Sequence, residues 1–85
     1  MADVRLSERA VDRLDALDGD IRERIKSKLR EAGDRPGHFL EPLRGGDEYK
    51  LRVGDHRVIV DWDREEGLLY VLTLGHRRNV YDREF

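Results

Sequence analysis

Hydrophobic positions along the chain change their period once, near residue 48. Before that point they recur at helical spacing. Ala10, Val11, Leu14 and Leu17 form one stripe, and Ile21, Ile25, Leu29 and Ala32 form a second. Ser7 stands where an N-cap hydroxyl would accept a free backbone N–H of the first turn. Asp20, with Glu23 three residues on, resembles a capping box for the second stripe. Gly33 suits the left-handed position after a helix, and Pro36 blocks continuation. The pattern therefore predicts helices near 7–18 and 20–33, joined as a hairpin. Val4-Arg5-Leu6, short and alternating, reads as an edge strand ahead of them.

Residues 34–47, punctuated by Gly37, Pro42, Gly45 and Gly46, read as loop. From Tyr49 the period is two. Tyr49, Leu51 and Val53 alternate with Lys50 and Arg52, and His56, Val58, Val60 and Trp62 alternate with Arg57, Ile59 and Asp61. Gly54-Asp55 is a two-residue turn signal, which sets Val53 opposite His56, Arg52 opposite Arg57 and Leu51 opposite Val58. After a second turn at Arg64–Gly67, residues 68–74 are apolar except for Thr73, as in a central strand buried on both faces. Leu68, Tyr70, Leu72 and Leu74 read as one stripe of it. The predicted fold class is α+β, β-α-α-β-β-β. It is a single domain over residues 1–85, with an antiparallel sheet carrying the helical hairpin on one face and the N-terminal strand beside the last strand.

Composition narrows the function classes. The 85 residues are 38% hydrophobic and 42% charged, enough for a thin core under a solvated surface. The absence of cysteine excludes disulfides and thiolate metal sites. No apolar run approaches the ~20 residues of a membrane span. The first residues lack the basic and then apolar segments of a signal peptide, so a cytoplasmic protein without membrane partners is expected. A net charge of −2 argues against a general nucleic-acid binder, yet it averages unlike zones. Residues 1–20 carry three Arg against six acids, whereas residues 21–32 carry five cations, Lys26 and Lys28 among them, against two acids.

The register gathers a candidate site. Lys50, Arg52 and Arg57 share the sheet face turned away from the helices, with like charges directly opposed. That costs about 0.2–1 kcal/mol and marks either an anion site or a solvated face whose charge Asp61 and Glu48 offset. Leu74-Gly75-His76-Arg77-Arg78-Asn79-Val80-Tyr81 then ends the apolar strand in a basic run, and parity brings Arg77 out on the same face. Guanidinium groups with a nearby phenol suit an RNA backbone and a stacked base. His38, His56 and His76 are too widely spaced for a ligand pattern, and no metal site is expected. Asp61 and Asp63 read as a solvated strand end, Trp62 as a core aromatic, and Ser7 as a cap rather than a nucleophile.

Tyr49-Lys50-Leu51-Arg52-Val53-Gly54-Asp55-His56-Arg57-Val58-Ile59, followed by Gly75-His76-Arg77-Arg78 and Val80-Tyr81, resembles the RelE branch of the RelE/ParE toxin superfamily over essentially the whole chain. The resemblance implies the toxin of a type II toxin–antitoxin system. Such a protein is a ribosome-dependent mRNA endonuclease that needs no cofactor, and its partners are a cognate antitoxin, the ribosome and mRNA. The substrate's 2′-hydroxyl attacks the adjacent phosphate and the 5′-oxygen leaves. By resemblance Arg57 and Arg77 bind that phosphate, Tyr81 matches the family's C-terminal tyrosine, and Lys50 matches one of two basic residues on the first hairpin strand. Glu48 stands where RelE carries the other lysine, so a Glu48–His76 acid–base pair is the variant mechanism. Arg52, Arg78, Lys26 and Lys28 are the further RNA-contact candidates. For Lys26 and Lys28, the alternatives are an acidic antitoxin or a solvated helix with local ion pairs. Two rival functions share the scaffold: a ParE-like poison of DNA gyrase that cuts no RNA, and a toxin homologue with weakened catalysis acting as a binding module.

Overall fold

In the computed structural model, which describes residues 1–44, 46–78 and 80, the period change near residue 48 divides a helical layer from a sheet. The elements are β1 (Asp3–Leu6), α1 (Glu8–Asp15), α2 (Gly19–Asp34), the one-turn α3 (Pro36–Phe39), β2 (Glu41–Pro42), β3 (Tyr49–Val53), β4 (His56–Asp63) and β5 (Leu68–His76). The sheet order is β1-β5-β4-β3-β2. Strands β2 to β5 pair antiparallel, and β1 joins β5 in parallel, at the expected edge.

Gly54 sets the hairpin register. Its φ of +59°, with Asp55 at an ordinary negative φ, fits a II′ turn, whose twist matches that of the flanking strands. The partners are Val53↔His56, Arg52↔Arg57 and Leu51↔Val58, as the turn predicts. Leu51, Val53, Val58 and Val60 are buried in the main core with Ala10, Leu14, Ile25, Leu29 and Ala32 of α1 and α2. Tyr49 and Trp62 pack at its margin, ring centroids 5.4 Å apart and edge to face, and Arg64 stacks over the indole at 4.1 Å. Val11, which the spacing put on the core stripe, is instead 42% exposed.

Ser7 caps α1 as expected. Its hydroxyl accepts from Ala10 N–H (3.1 Å) and donates to Leu72 C=O (2.7 Å), tying the helix start to β5. The second cap differs from expectation. Helix α2 starts at Gly19 with Asp18 at the N-cap and no side-chain cap bond, so Asp20 and Glu23 lie inside the helix rather than framing it. Gly33 is also inside α2, buried, and does not adopt the left-handed conformation. Its role is close approach. Ala2 N–H donates to Gly33 C=O (2.6 Å), and a Cβ there would sit 2.8 Å from Ala2 O and 3.2 Å from Val4 Cγ2. Residues 34–47 are not all loop either, since α3 and β2 occupy part of them.

The single stripe predicted for β5 is interrupted by a bulge. Ile59 pairs with Thr73 and Val60 with Val71, leaving Leu72 extra. Leu69, Val71 and Leu74 therefore face the helices, Tyr70 is 38% exposed, and Leu72 packs on the opposite face with Leu43, Ile59 and Val80. Strand β5 is thus covered on both faces only around the bulge. Gly33→Ala should lower stability by on the order of 1 kcal/mol. The crowding against β1, about 1–3 kcal/mol, outweighs a helix-propensity gain of about 1 kcal/mol. Thermal melts of this variant beside Gly37→Ala, whose Cβ would meet nothing within 4 Å, provide the check.

Candidate functional site: the basic open face of the sheet

Pleating leaves Lys50, Arg52, Arg57 and Ile59 on the face opposite the helices. Arg52 and Arg57 are direct cross-strand partners, and Lys50, opposite Ile59, lies one diagonal step from Arg57. Across the next ladder Arg57 faces Gly75, which presents no side chain. Arg77 follows in the turn after β5, exposed, with its N–H donating to Asp55 C=O at 2.8 Å. That bond carries the ladder past the end of the strand and holds the Arg77 backbone beside the β3–β4 turn, two residues beyond Gly75. Arg57 thus has Arg52 directly across one ladder and Lys50 one diagonal step away, with Ile59, Leu43, Leu72 and Val80 as an apolar floor beside them.

The like-charge pair has a counter-ion that the loop assignment concealed. Glu41 of β2 pairs with Lys50 in register, and its Oε2 lies 3.3 Å from Arg52 Nε. Glu41, rather than Asp61, screens Arg52. The signal available in the sequence was the apolar Leu40 and Leu43 on either side of Glu41-Pro42, too short a segment to show a period. Both partners are more than half exposed, so the pair contributes about 0–1 kcal/mol.

Several expected members are elsewhere. His76 ends β5 on the helix side, paired with His56. Glu48 precedes the far end of β3, five residues from Val53 and so about 16 Å along the strand from that ladder end. A Cβ built on Gly46 would lie 2.6 Å from Glu48 Oε1, so the carboxylate folds back over the loop. The geometry does not bring Glu48 and His76 together. Lys26 and Lys28 belong to α2, across the core from the cationic face, in exposed i,i+3 pairs with Glu23 (3.7 Å) and Glu31 (3.5 Å). Lys28 also lies over the Phe39 ring at 5.1 Å. Arg78 is exposed, and its N–H donates to His76 Nδ1. Tyr81 lies outside the described residues. Among the described residues no three His, Asp or Glu side chains converge as metal ligands, and no helix is long and apolar enough to cross a membrane.

The family model described as the ParE toxin of the type II toxin–antitoxin system parDE matches residues 4–81. The chain belongs to this toxin family, part of the RelE/ParE superfamily. The toxin's fold is that of RelE proteins of known structure. The free form of a double-arginine variant of Escherichia coli RelE superposes with a TM-score of 0.76 at 30% identity, covering 93% of this chain and 87% of that one. The toxin in the intact E. coli RelBE toxin–antitoxin complex gives 0.76 at 28% identity, over 89% and 96%. The RelBE2 toxin–antitoxin complex of Mycobacterium tuberculosis gives 0.83 at 23% identity, over 89% and 98%, a likeness of fold. No curated protein sequence matches the toxin.

The apolar floor and the surface ion pair make different contributions to stability. Ile59 is fully buried, so Ile59→Ala should cost about 2–5 kcal/mol. Arg52→Ala should change stability by less than about 1 kcal/mol, because its pair with Glu41 is exposed. Urea midpoints of the two variants test this ordering.

Proposed function

We propose that this toxin is a ribosome-dependent mRNA endonuclease of the RelE type. The observation that carries the reading is the position of Arg57, set between Lys50 and Arg52 on one side and Gly75 and Arg77 on the other. Gly75 puts no side chain of its own beside Arg57, the space over it being taken by Val80, and Lys50 and Arg52 add to Arg57 the positive charge that stabilises a developing phosphorane. The 2′-hydroxyl attacks the adjacent phosphorus, its proton passes to a base, and the P–O5′ bond breaks. The 5′-oxygen leaves with a proton, giving a 2′,3′-cyclic phosphate and a 5′-hydroxyl. No oxidant or metal enters this balance. Lys50, one diagonal step from Arg57, is better situated as the base than Glu48, whose carboxylate turns back over Gly46. Tyr81 is assigned to the base flanking the cut. The partners are mRNA on the ribosome and a cognate antitoxin; RelE relatives crystallise with RelB antitoxins.

A second reading has one specific observation behind it. The matching family model is that of ParE, and the ParE-like function is gyrase poisoning without RNA cleavage. Identity of 30% to a RelE and the cations flanking Arg57 weigh toward the first reading.

Arg57→Ala and Arg77→Ala should each reduce cleavage of ribosome-bound messenger by about 10²–10³ with the fold intact by circular dichroism. Lys50→Ala should abolish most activity, Glu48→Ala should leave it near the parent level, and Tyr81→Phe should have a smaller effect than either arginine variant. Primer extension on mRNA from cells briefly expressing the protein reads the cuts. A DNA-damage response without cuts would establish the gyrase reading instead, and parental cleavage by both arginine variants would show that the active site lies elsewhere. Co-expression with the neighbouring reading frame should yield a co-purifying complex, and recovery of the toxin as a monomer alone would contradict the antitoxin assignment.

A further inference from the structure

A second cationic recess lies at the same end of the molecule on the opposite face of the sheet. It is a cavity of about 300 Å³ bordered by Arg24 of α2, Asp55 in the β3–β4 turn, His56 and His76, with Ile21 and Val53 as its apolar wall. The two imidazoles meet edge to face with centroids 5.4 Å apart. Arg78 N–H donates to His76 Nδ1 (3.2 Å), so the neutral ring carries its proton on Nε2 and keeps that N–H as a donor. Arg24 differs from the other cations of its helix that carry ion pairs. Lys26 and Lys28 are each held by a neighbouring acid, whereas among the described residues Arg24 has no carboxylate at ion-pair distance. Its guanidinium instead lies near the turn, with Nη2 3.4 Å from where a Cβ on Gly54 would stand.

We propose that this recess is a ribonucleotide subsite, in which Arg24 and His76 hold a phosphate and Asp55 accepts a hydrogen bond from a ribose hydroxyl. The inference rests on the RNA reading above and extends it to the opposite face. A planar guanidinium binds phosphate through two parallel hydrogen bonds, and an imidazole N–H adds a third donor. Among the described residues bordering the recess, Asp55 is the one carboxylate. It disfavours a bare anion lying against it and favours a neutral hydroxyl, which separates RNA from DNA at this position. Chain order makes the recess continuous with the cationic face. His56 is followed by Arg57 on β4, so alternation presents one to each side of the sheet, and Arg77 follows His76 directly in the turn after β5. The Arg77 N–H bond to Asp55 C=O holds the two turns together at the rim. A strand engaged at Arg57 and Arg77 reaches the recess by passing over that rim.

The test uses the full chain carrying Arg57→Ala, so that RNA is not cut, and follows the histidine side-chain resonances by NMR. A six-nucleotide RNA is titrated against its DNA counterpart. The RNA should shift the His56 and His76 signals saturably, and more tightly than the DNA. Arg24→Gln should weaken this binding about tenfold, as expected for loss of a charge-assisted contact. Asp55→Asn should narrow the RNA–DNA difference, and Lys26→Gln, which removes a cation paired elsewhere on α2, should change nothing. Absent histidine shifts, shifts insensitive to Arg24→Gln, or equal affinity for RNA and DNA would each overturn the proposal. Displacement of the RNA by a tighter-binding acidic peptide would overturn it too, assigning the recess to a protein partner. Cleavage that still depends on Arg77 in a protein whose histidines ignore RNA would leave the endonuclease reading standing and remove only this subsite.

Discussion

The two-residue turn at Gly54-Asp55 is the constraint on which the site depends. With Gly54 at φ +59°, Val53 is held opposite His56, and every later pairing of the β3–β4 ladder follows from that contact. A slip of one residue would exchange the faces, driving Arg52 or Arg57 into the core and exposing Val58 and Val60. Burial of Leu51, Val53, Val58 and Val60 against α1 and α2 opposes that slip, so the hydrophobic core and the cationic face are two consequences of one register. The direct opposition of Arg52 and Arg57 is tolerated because this core determines it. Glu41, 3.3 Å from Arg52, removes part of the cost.

The helices, the hairpin register and the place of β1 were legible in the sequence because each rests on a repeated signal. Four apolar residues at helical spacing, or three at alternation, outvote any single exception. Features carried by one or two residues were not. Strand β2 has two residues and no period of its own, so Glu41 could not be placed as a counter-ion. The β5 bulge adds Leu72 without any change in composition, which turned a stripe of Leu68, Tyr70, Leu72 and Leu74 into one of Leu69, Val71 and Leu74. Gly33 carried two readings, left-handed cap and close packing. The choice was settled by Ala2, 31 positions away in the chain, through a contact that no local pattern encodes.

The candidate site divides along the same line. Lys50, Arg52 and Arg57 were placed together because one turn and one ladder relate them. Arg77 follows in the turn after β5, where its backbone N–H meets Asp55 C=O beside the β3–β4 turn. The bulge shifts the alternation of β5 by one, yet Leu74 still faces the helices, so the steps from Leu74 to Gly75 and His76 retain their sense. His76 could not be recognised as lying on the other face from the motif alone. Glu48 and His76 are 28 positions apart in sequence, and only the ladder reveals that they occupy opposite ends of the hairpin. Lys26 and Lys28 were attractive as charges, but the helix on which they sit packs on the far side of the core.

The cations Lys50, Arg52 and Arg57 sit on the open face of a sheet rather than in an enclosed cavity. In water the attraction of two unit charges at 4 Å is only about 1 kcal/mol, against about 4 kcal/mol at an effective dielectric near 20. An open cationic face is consequently a poor stabiliser of a phosphorane on its own. A second body pressed against it would exclude water and multiply the effect of the same charges. On the proposed reading that body is the ribosome, which presents the RNA strand and covers it. On that reading, dependence on the ribosome would follow from the electrostatics of an open cationic face. In that scheme the β3–β4 ladder and the apolar floor at Ile59 would supply position, and the partner would supply the low dielectric in which position becomes rate.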